Sequence, residues 1–390
     1  MVGRVMRRLA LVFVAACGGG GPPGGGPDGN SSGSDGPGGS DGPAARPDLD
    51  VTSLGVQGFA LRYGDDLVLT APMFTRQSAV AVSLGLSLDP DTAATDAGLA
   101  GVDLANLRAV VSGHAHYDHF IDVAHVLDLA PQATAYTNLS GRNILAALAP
   151  DRPTGCTNTP ATPLARSRVI ALDDALASHV DYTNCPEQRP PGAPLEGSWL
   201  EVPGSHVRIM AMCSMHPAQI GPIHFGEGSV DEEQCELPGS ANGWLEGQTL
   251  ALLIDWLDDA GKPALRVFYQ DAPTNAPIGL VPPALLADRR VDVALLCVGS
   301  YANVENEPTA IIENLSPRFA LSGHWEDFFI ARDQPPQPIP LLDVNTFVQR
   351  AEAALSGPPD APLLVDGIET TQRHVLVQPG AQIVVPGLQK

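Results

Sequence analysis

Short runs in which apolar residues dominate or alternate with polar ones recur from residue 49 onward, and they predict β-strands. The predicted strands cover residues 56–61, 67–69, 109–112, 168–171, 207–212, 265–270, 291–298, 318–322, 374–377 and 382–385. Apolar residues at helical spacing predict helices over 120–129, 141–148, 283–287 and 344–354. Strands dominate and no internal repeat is found, so we expect an α/β (α+β) sandwich of two sheets flanked by helices.

The first residues have the pattern of a targeting segment. Arg4, Arg7 and Arg8 precede an apolar run over residues 9–16, which is too short to span a bilayer as a stable anchor. The run leads into residues 14–17 (VAAC), a pattern that resembles the bacterial lipobox, in which the cysteine is lipidated. We therefore expect residues 1–17 to be a lipoprotein signal with Cys17 as the lipidation site. The alternative is an ordinary secretory signal with an incidental cysteine.

Residues 18–48 consist almost wholly of Gly, Pro, Ser, Asp and Asn. This segment has too little apolar surface to fold, so we interpret it as a disordered tether between a lipid anchor and a domain over residues 49–390. Such a protein would lie in the cell envelope and be attached to the membrane only through its lipid. Gly18 after the cysteine, where Asp is the alternative, favours the outer membrane.

Composition and charge narrow the class of partner. The 390 residues are 44% hydrophobic and 17% charged, which is typical of a globular chain that can bury a sizeable core. The formal net charge is −22, and loss of the three N-terminal arginines would make it −25 (−22 − 3). Such a charge repels nucleic acid, and no run of basic residues offsets it. We expect a small-molecule or lipid-like substrate and no nucleic-acid partner; the sequence sets no oligomeric state.

The remaining cysteines are interpreted by their position and by the predicted export. In an oxidising compartment Cys156 with Cys185, and Cys213 with Cys235, are the pairs suggested by proximity along the chain. Cys297 lies in an apolar run and is predicted to be a buried free thiol. Five reduced cysteines are the alternative, and a metal role for Cys213, near His216, also stays open.

Candidate chemistry is concentrated in residues 110–120, where an apolar strand leads into a small turn and then a helical pattern. His114 and His116 alternate at the end of the strand, so they point the same way and can share one metal ion. Asp118 and His119 are turned by the start of the helix towards a second ion. Imidazole and carboxylate are good ligands for Zn²⁺ and also serve Mn²⁺ and Fe²⁺.

This segment matches the His-x-His-x-Asp-His motif of the metallo-β-lactamase superfamily. The resemblance extends over residues 49–390 but is specific only at a few segments. It implies a four-layer αββα sandwich and two divalent metal ions, most often zinc. It also implies a metal-dependent hydrolase, in which a metal-activated hydroxide cleaves an ester, lactone or phosphodiester bond.

The same resemblance suggests the other ligands, each after a later predicted strand. His216 follows the strand over 207–212 and is favoured over its rival His224 as the third ligand of the first ion. Asp271 follows the strand over 265–270 and would bridge the ions. His324 follows the strand over 318–322, and the His324-Trp325 pair resembles the lactonase-like and phospholipase-D-like branch.

Roles follow from this ligand set. The first ion would be held by His114, His116 and His216, the second by Asp118, His119 and His324, with Asp271 between them. Asp118 would also act in catalysis by orienting the nucleophile or moving its proton. Tyr117, His224 and Trp325 are candidates for substrate contact.

Two alternatives and one departure remain. In the first alternative, only His114, His116 and His216 bind metal, and they hold a single ion. A non-catalytic, lipid-anchored binding module would keep the fold and a structural metal. Relatives of this branch usually carry an aspartate before a proline at an early strand end, and this chain has Ala71 there. Such a carboxylate usually supports the metal ligands without binding the metal itself, so its replacement by alanine bears on the catalytic rate.

Overall fold

The computed structural model describes residues 46–176 and 197–387. Its strands are β1 (Leu49–Gly55), β2 (Gly58–Tyr63), β3 (Asp66–Thr70), β4 (Leu107–Val111), β5 (Thr134–Thr137), β6 (Val169–Ala171), β7 (Leu200–Glu201), β8 (Val207–Cys213), β9 (Leu250–Leu257), β10 (Pro263–Gln270), β11 (Val293–Cys297), β12 (Phe319–Gly323), β13 (Leu363–Val365), β14 (Ile368–Thr370), β15 (His374–Leu376) and β16 (Gln382–Val385). Its α-helices are α1 (Ala79–Ser83), α2 (Thr92–Gly98), α3 (Tyr117–Phe120), α4 (Val123–Leu129), α5 (Leu139–Leu145), α6 (Asp173–Leu176), α7 (Pro283–Asp288), α8 (Thr309–Leu315) and α9 (Val344–Ala354).

The strands form two mixed sheets. The first has the order β14-β13-β16-β1-β2-β3-β4-β5-β6, and its last four strands are parallel. The second has the order β15-β12-β11-β10-β9-β8-β7, in which β10, β11, β12 and β15 are parallel. Parallel strands place their carboxyl ends at one edge of a sheet, where binding residues commonly collect.

Apolar side chains divide into three clusters that define the layers. Residues of both sheets, such as Phe59 and Ile254, pack between the sheets. Phe120 and Val126 of α3 and α4 cover the outer face of the first sheet, and Phe347 of α9 helps to cover the second. The order helix, sheet, sheet, helix confirms the predicted four-layer sandwich.

The predicted elements are all present, with ends displaced by a few residues. The prediction over 56–61 includes a turn, because Val56 has a positive φ of 52° and β2 begins only at Gly58. The sequence prediction omits β1, β5, β7, β9, β13 and β14, and also α1, α2, α6 and α8. The strand β9 is almost wholly buried and apolar, so it lacks the alternation that identifies a strand with one solvated face.

The two sheets bring four strand ends together. Both β8 and β10 are antiparallel to β9, so they run in the same direction as each other and as β12. The end of β4 joins this edge because Gly113 N donates to Asp271 Oδ2 (2.6 Å) and Leu250 N donates to Gly113 O (2.8 Å).

Cysteine pairing differs from the prediction. Cys156 is bonded to Cys235, with 5.2 Å between their Cα atoms, so both pairings suggested from the sequence are wrong. Cys213 is also disulfide-bonded, which removes the thiolate needed for a metal role. Cys185 lies outside the described residues, as do Cys17, the predicted signal and most of the predicted tether. Cys297 is a buried free thiol, as predicted.

In the two described stretches, no helix combines the length and the apolar character needed to cross a membrane.

Candidate metal centre

The histidine-rich turn lies between β4 and α3 and is fixed at both ends. Ser112 Oγ donates to the carbonyl oxygen of His114 (2.6 Å), and Ala115 N donates to the carbonyl oxygen of Glu246 (3.0 Å). Asp118 lies in the first turn of α3 and His119 follows it. The sequence pattern of strand, turn and helix start therefore sets the direction of each polar side chain.

Three imidazoles form the first ligand group: His114, His116 and His216. Their ring centroids form a nearly equilateral triangle with sides of 4.7, 4.8 and 4.8 Å. One nitrogen of each ring lies within 4.8 Å of the others. His216 completes this triangle rather than His224.

Each of these rings points one nitrogen at an oxygen that accepts a hydrogen bond. The pairs are His114 Nδ1 with Asp271 Oδ1 (3.0 Å), His116 Nε2 with Gly226 O (3.1 Å), and His216 Nδ1 with Pro217 O (2.7 Å). Because those nitrogens carry the hydrogen, the neutral rings keep lone pairs on His114 Nε2, His116 Nδ1 and His216 Nε2. Fixing the tautomer through the second nitrogen is how proteins prepare histidine for a metal.

Electrostatics favour neutral rings at two of the three positions. Burial lowers the pKa of His116 to about 3 and lowers the pKa of His216 well below its ordinary value. At His114 burial also opposes the charged form, but the charge of Asp271 and the hydrogen bond to it outweigh burial and raise the pKa. Since only neutral imidazole binds metal, His114 is the last of the three to become available as pH rises.

Asp118, His119 and His324 form the second ligand group. Nε2 of His119 lies 3.1 Å from Nε2 of His324, and Asp118 Oδ2 lies 3.5 Å and 3.3 Å from these two nitrogens. Burial lowers the pKa of His119 to about 3. Burial would raise the pKa of Asp118, but the two neighbouring imidazoles hold it well below its usual range.

Asp271 lies between the two groups. Its Oδ1 contacts His114, and its Oδ2 lies 3.8 Å from Nδ1 of His119. Gly113 permits this approach, because a Cβ at that position would lie 2.4 Å from Asp271 Oδ1. Burial opposes ionisation of Asp271, but the charge of His114 and the hydrogen bond from it lower its pKa.

The residues fit two divalent cations. His114 Nε2, the nitrogen that keeps the lone pair of this ring, is buried and finds no hydrogen-bond partner among the described residues. A buried polar atom without a partner is costly, so this nitrogen needs an explanation, and a bound cation supplies one. A second cation would accept the lone pairs of His119 Nε2 and His324 Nε2, which face each other at 3.1 Å. Imidazole with carboxylate suits Zn²⁺, Mn²⁺ and Fe²⁺.

The predicted substrate residues have different surroundings. Trp325 is 6% exposed and its Nε1 donates to Val377 O (2.7 Å) within the core of the second sheet, so it packs the fold and is not a substrate contact. Tyr117 is half-buried, with its ring 6.4 Å from Phe328, which in turn lies 5.4 Å from His324. Tyr117 therefore stays beside the second ligand group.

His224 lies beside the first ligand group. Its Nε2 bonds to Glu246 Oε2 (2.8 Å), and its ring stacks on His216 with 5.5 Å between centroids. Sequence reasoning missed Glu246, because the loop that carries it has no motif and no regular pattern.

Ala71 stands at the end of β3, beside the metal-binding edge. It is fully buried, has a positive φ of 27° and donates its N–H to Val111 O (2.8 Å). Its methyl group packs in the core between the sheets. A carboxylate at this position would be fully buried, which is costly unless it is paired, whereas the methyl group of alanine fits the core.

No family model and no curated protein matches the chain. Among solved structures, it is similar to Igni18, a metallo hydrolase of Ignicoccus hospitalis, with 14% identity over 86% of this chain and 98% of that one and a TM-score of 0.43. It is similar to the metallo-beta-lactamase fold protein YhfI of Bacillus subtilis, with 12% identity over 87% of this chain and 100% of that one and a TM-score of 0.43.

The chain is also similar to CmlA, a diiron beta-hydroxylase of Streptomyces venezuelae, with 11% identity over 88% of this chain and 55% of that one and a TM-score of 0.42. A fold does not by itself fix an activity, so function has to be inferred from the side chains of the site.

Proposed function

We propose that this protein is a metal-dependent hydrolase that cleaves an ester or lactone bond. The observation that carries the proposal is the pair of ligand groups, one of three imidazoles and one of two imidazoles and a carboxylate, with Asp271 between them. Two divalent cations held by these residues, zinc above all and Mn²⁺ or Fe²⁺ as alternatives, would supply a water of lowered pKa and would stabilise developing negative charge.

The protein groups have separate tasks in this proposal. His114, His116 and His216 hold the first cation, and His119 and His324 hold the second with Asp118. Asp118 is the catalytic residue, because its partly accessible carboxylate stays ionised and can orient a nucleophile by accepting its hydrogen. Asp271 fixes the tautomer of His114 and joins the two halves of the site.

Apolar residues beside the first ligand group support a lipid-like substrate. Met215, Ile220, Ile223 and Phe225 are between 37% and 55% exposed, and they surround His216 and His224 in sequence. Exposed apolar side chains next to a site mark a binding surface for apolar groups. The net charge of −22 opposes polyanionic substrates, so we place phosphodiesters behind esters and lactones.

The proposed location is the cell envelope, with Cys17 carrying a lipid and residues 18–48 serving as a tether. An anchored hydrolase with an apolar entrance would meet amphiphilic substrates at the membrane surface. Labelling with a radioactive fatty acid tests this directly: we expect incorporation in the natural chain and none in Cys17→Ser. Equal labelling of both would contradict the lipoprotein assignment.

The test of the activity uses the full chain, stripped of metal and then reloaded with zinc, manganese or iron. We expect chelator-sensitive turnover of p-nitrophenyl esters or lactones. Esters with longer acyl chains should be cleaved faster than the phosphodiester bis-p-nitrophenyl phosphate. Asp118→Asn should lower the rate, whereas Asp231→Asn on the exposed loop should not. Stoichiometric metal without chelator-sensitive turnover of any of these substrates would favour the non-catalytic binding module.

A further inference from the structure

The loop over the first ligand group is centred on the carbonyl oxygen of Gly226. This oxygen lies 3.1 Å from His116 Nε2 and also accepts the backbone N–H of Glu246 (2.9 Å). A Cβ on Gly226 would lie 2.7 Å from His116 Nε2, and its φ of +65° suits glycine. The loop therefore contacts the outer edge of His116 closely, at the nitrogen that carries the hydrogen.

Glu246 is fixed in place by the site itself. Its carbonyl oxygen accepts from Ala115 N (3.0 Å), within the histidine-rich turn, and from Asn138 Nδ2 (2.5 Å), at the start of α5. Its carboxylate accepts from His224 Nε2 (2.8 Å) and lies 3.8 Å from His116 Nε2. A carboxylate with so constrained a backbone has little freedom to leave the first ligand group.

The two ligand groups differ in charge. The second contains the carboxylate of Asp118, whereas the first consists of imidazoles and shares only Asp271. Glu246 adds a negative charge beside Nε2 of His116. A cation bound to Nδ1 of the same ring would make the N–H at Nε2 a stronger hydrogen-bond donor. His224 stacks on His216, so it links Glu246 to that ligand as well.

We propose that Glu246, together with His224, is the positioning residue of the first ligand group. It holds His116 and His216 in the orientation that binds metal and raises the metal affinity of this group alone. The inference rests on the proposed metal binding. Glu246 faces the hydrogen-bearing edge of His116 and bonds to Nε2 of His224, which favours action through the ligands. His216, His224 and Glu246 also lie close enough together to hold an ion themselves, and the cobalt spectrum below distinguishes that case. Partners of this kind change metal affinity by about 10- to 100-fold when removed.

The experiment measures zinc and cobalt affinity of the full chain by competition with a chelating dye. For Glu246→Gln we expect one of the two metal equivalents to bind about 10- to 100-fold more weakly and the other to be unchanged. The visible spectrum of the fully loaded cobalt protein should keep its bands, because the ligands are the same. His224→Ala should weaken the same equivalent.

Glu227→Gln is the matched control, since it removes an equal charge from the exposed neighbour of Gly226 and should leave both affinities unchanged. The unfolding temperature of the metal-free variants shows whether they are folded, and we expect it to be close to that of the natural chain. Equal weakening of both equivalents, or none, would overturn the inference. A changed cobalt spectrum in Glu246→Gln would overturn it too, by making Glu246 a direct ligand.

Failure of the two proposals can be told apart. If the natural chain binds no metal, the proposed function fails together with this inference. If the natural chain binds two equivalents and Glu246→Gln binds them equally well, the inference alone fails.

Discussion

Replacement of Asp271 by asparagine should change the tautomer of His114. The carboxylate accepts from Gly113 N (2.6 Å) and from His114 Nδ1 (3.0 Å), and all three groups are buried. An asparagine has one oxygen and one NH₂ group, so one of these donors would face another donor. His114 can relieve the conflict by moving its hydrogen to Nε2 and accepting at Nδ1, which removes the lone pair from the first ligand group.

The size of the effect follows from the two hydrogen bonds. Bonds to a charged group contribute about 1.5–3 kcal/mol each, and neutral ones about 0.5–1.5 kcal/mol. Weakening both should lower the free energy of unfolding of the metal-free protein by about 2–3 kcal/mol. Restoring the metal-binding tautomer costs a comparable amount, which alone weakens the first metal by roughly 30- to 150-fold.

Two assays measure the tautomer of His114 and the metal affinity separately. Nitrogen-15 spectra of the imidazoles report which nitrogen carries the hydrogen in the metal-free protein, and we expect Nε2 for His114 in Asp271→Asn and Nδ1 in the natural chain. Calorimetric titration reports the affinity of each metal. Asp50→Asn, an exposed change of equal charge on β1, is the control. An unchanged tautomer, with both metals bound as tightly as before, would contradict this role of Asp271.

Three further predictions concern stability. Burial raises the pKa of Glu307 to about 8, so the folded chain holds this proton more tightly than the unfolded chain. The free energy of unfolding should therefore fall by at most about 1.4 kcal/mol per pH unit as the pH rises from about 4.5 to 8. Glu307→Gln should remove that component in denaturant titrations of the metal-free protein. Asp255 pairs with the fully buried Arg266 through two hydrogen bonds of 2.7 and 2.8 Å. Asp255→Asn should therefore lower the free energy of unfolding by about 3–5 kcal/mol, measured by chemical unfolding, and a decrease below about 1 kcal/mol would contradict the importance of this pair. The Cys156–Cys235 bond joins residues 79 apart, and changing both to serine should cost about 4 kcal/mol in the same assay, whereas an unchanged midpoint would contradict the pairing.

The elements with a clear period could be predicted from the sequence. The helix over 344–354 agrees with α9 at both ends, because Asp343 caps it and apolar positions recur on one face. The strand β9 could not be identified, since a continuous apolar run fits a buried helix as well as a buried strand. Short strands such as β7 and β14 depend on their neighbours for pairing and leave almost no local pattern.

The site, too, contains residues that could be predicted from the sequence and residues that could not. The predicted ligands follow strands or a helix start, so periodicity and order placed them near one another. Glu246 and the bond between Cys156 and Cys235 depend on contacts between segments far apart in sequence, which no local pattern encodes. Trp325 follows His324 directly, yet its side chain turns into the core, because adjacent residues at a strand end point in different directions.

The zinc content of three proteins distinguishes a two-metal site from a one-metal site. The proteins are the natural chain, His216→Ala and His324→Ala, each loaded with zinc, freed of excess metal and analysed by mass spectrometry. Two separate ligand groups joined by Asp271 predict two zinc ions per chain in the natural protein and one in each variant. A single ion in the natural chain, or a content other than one ion in either variant, would contradict a two-metal site with separate ligand groups.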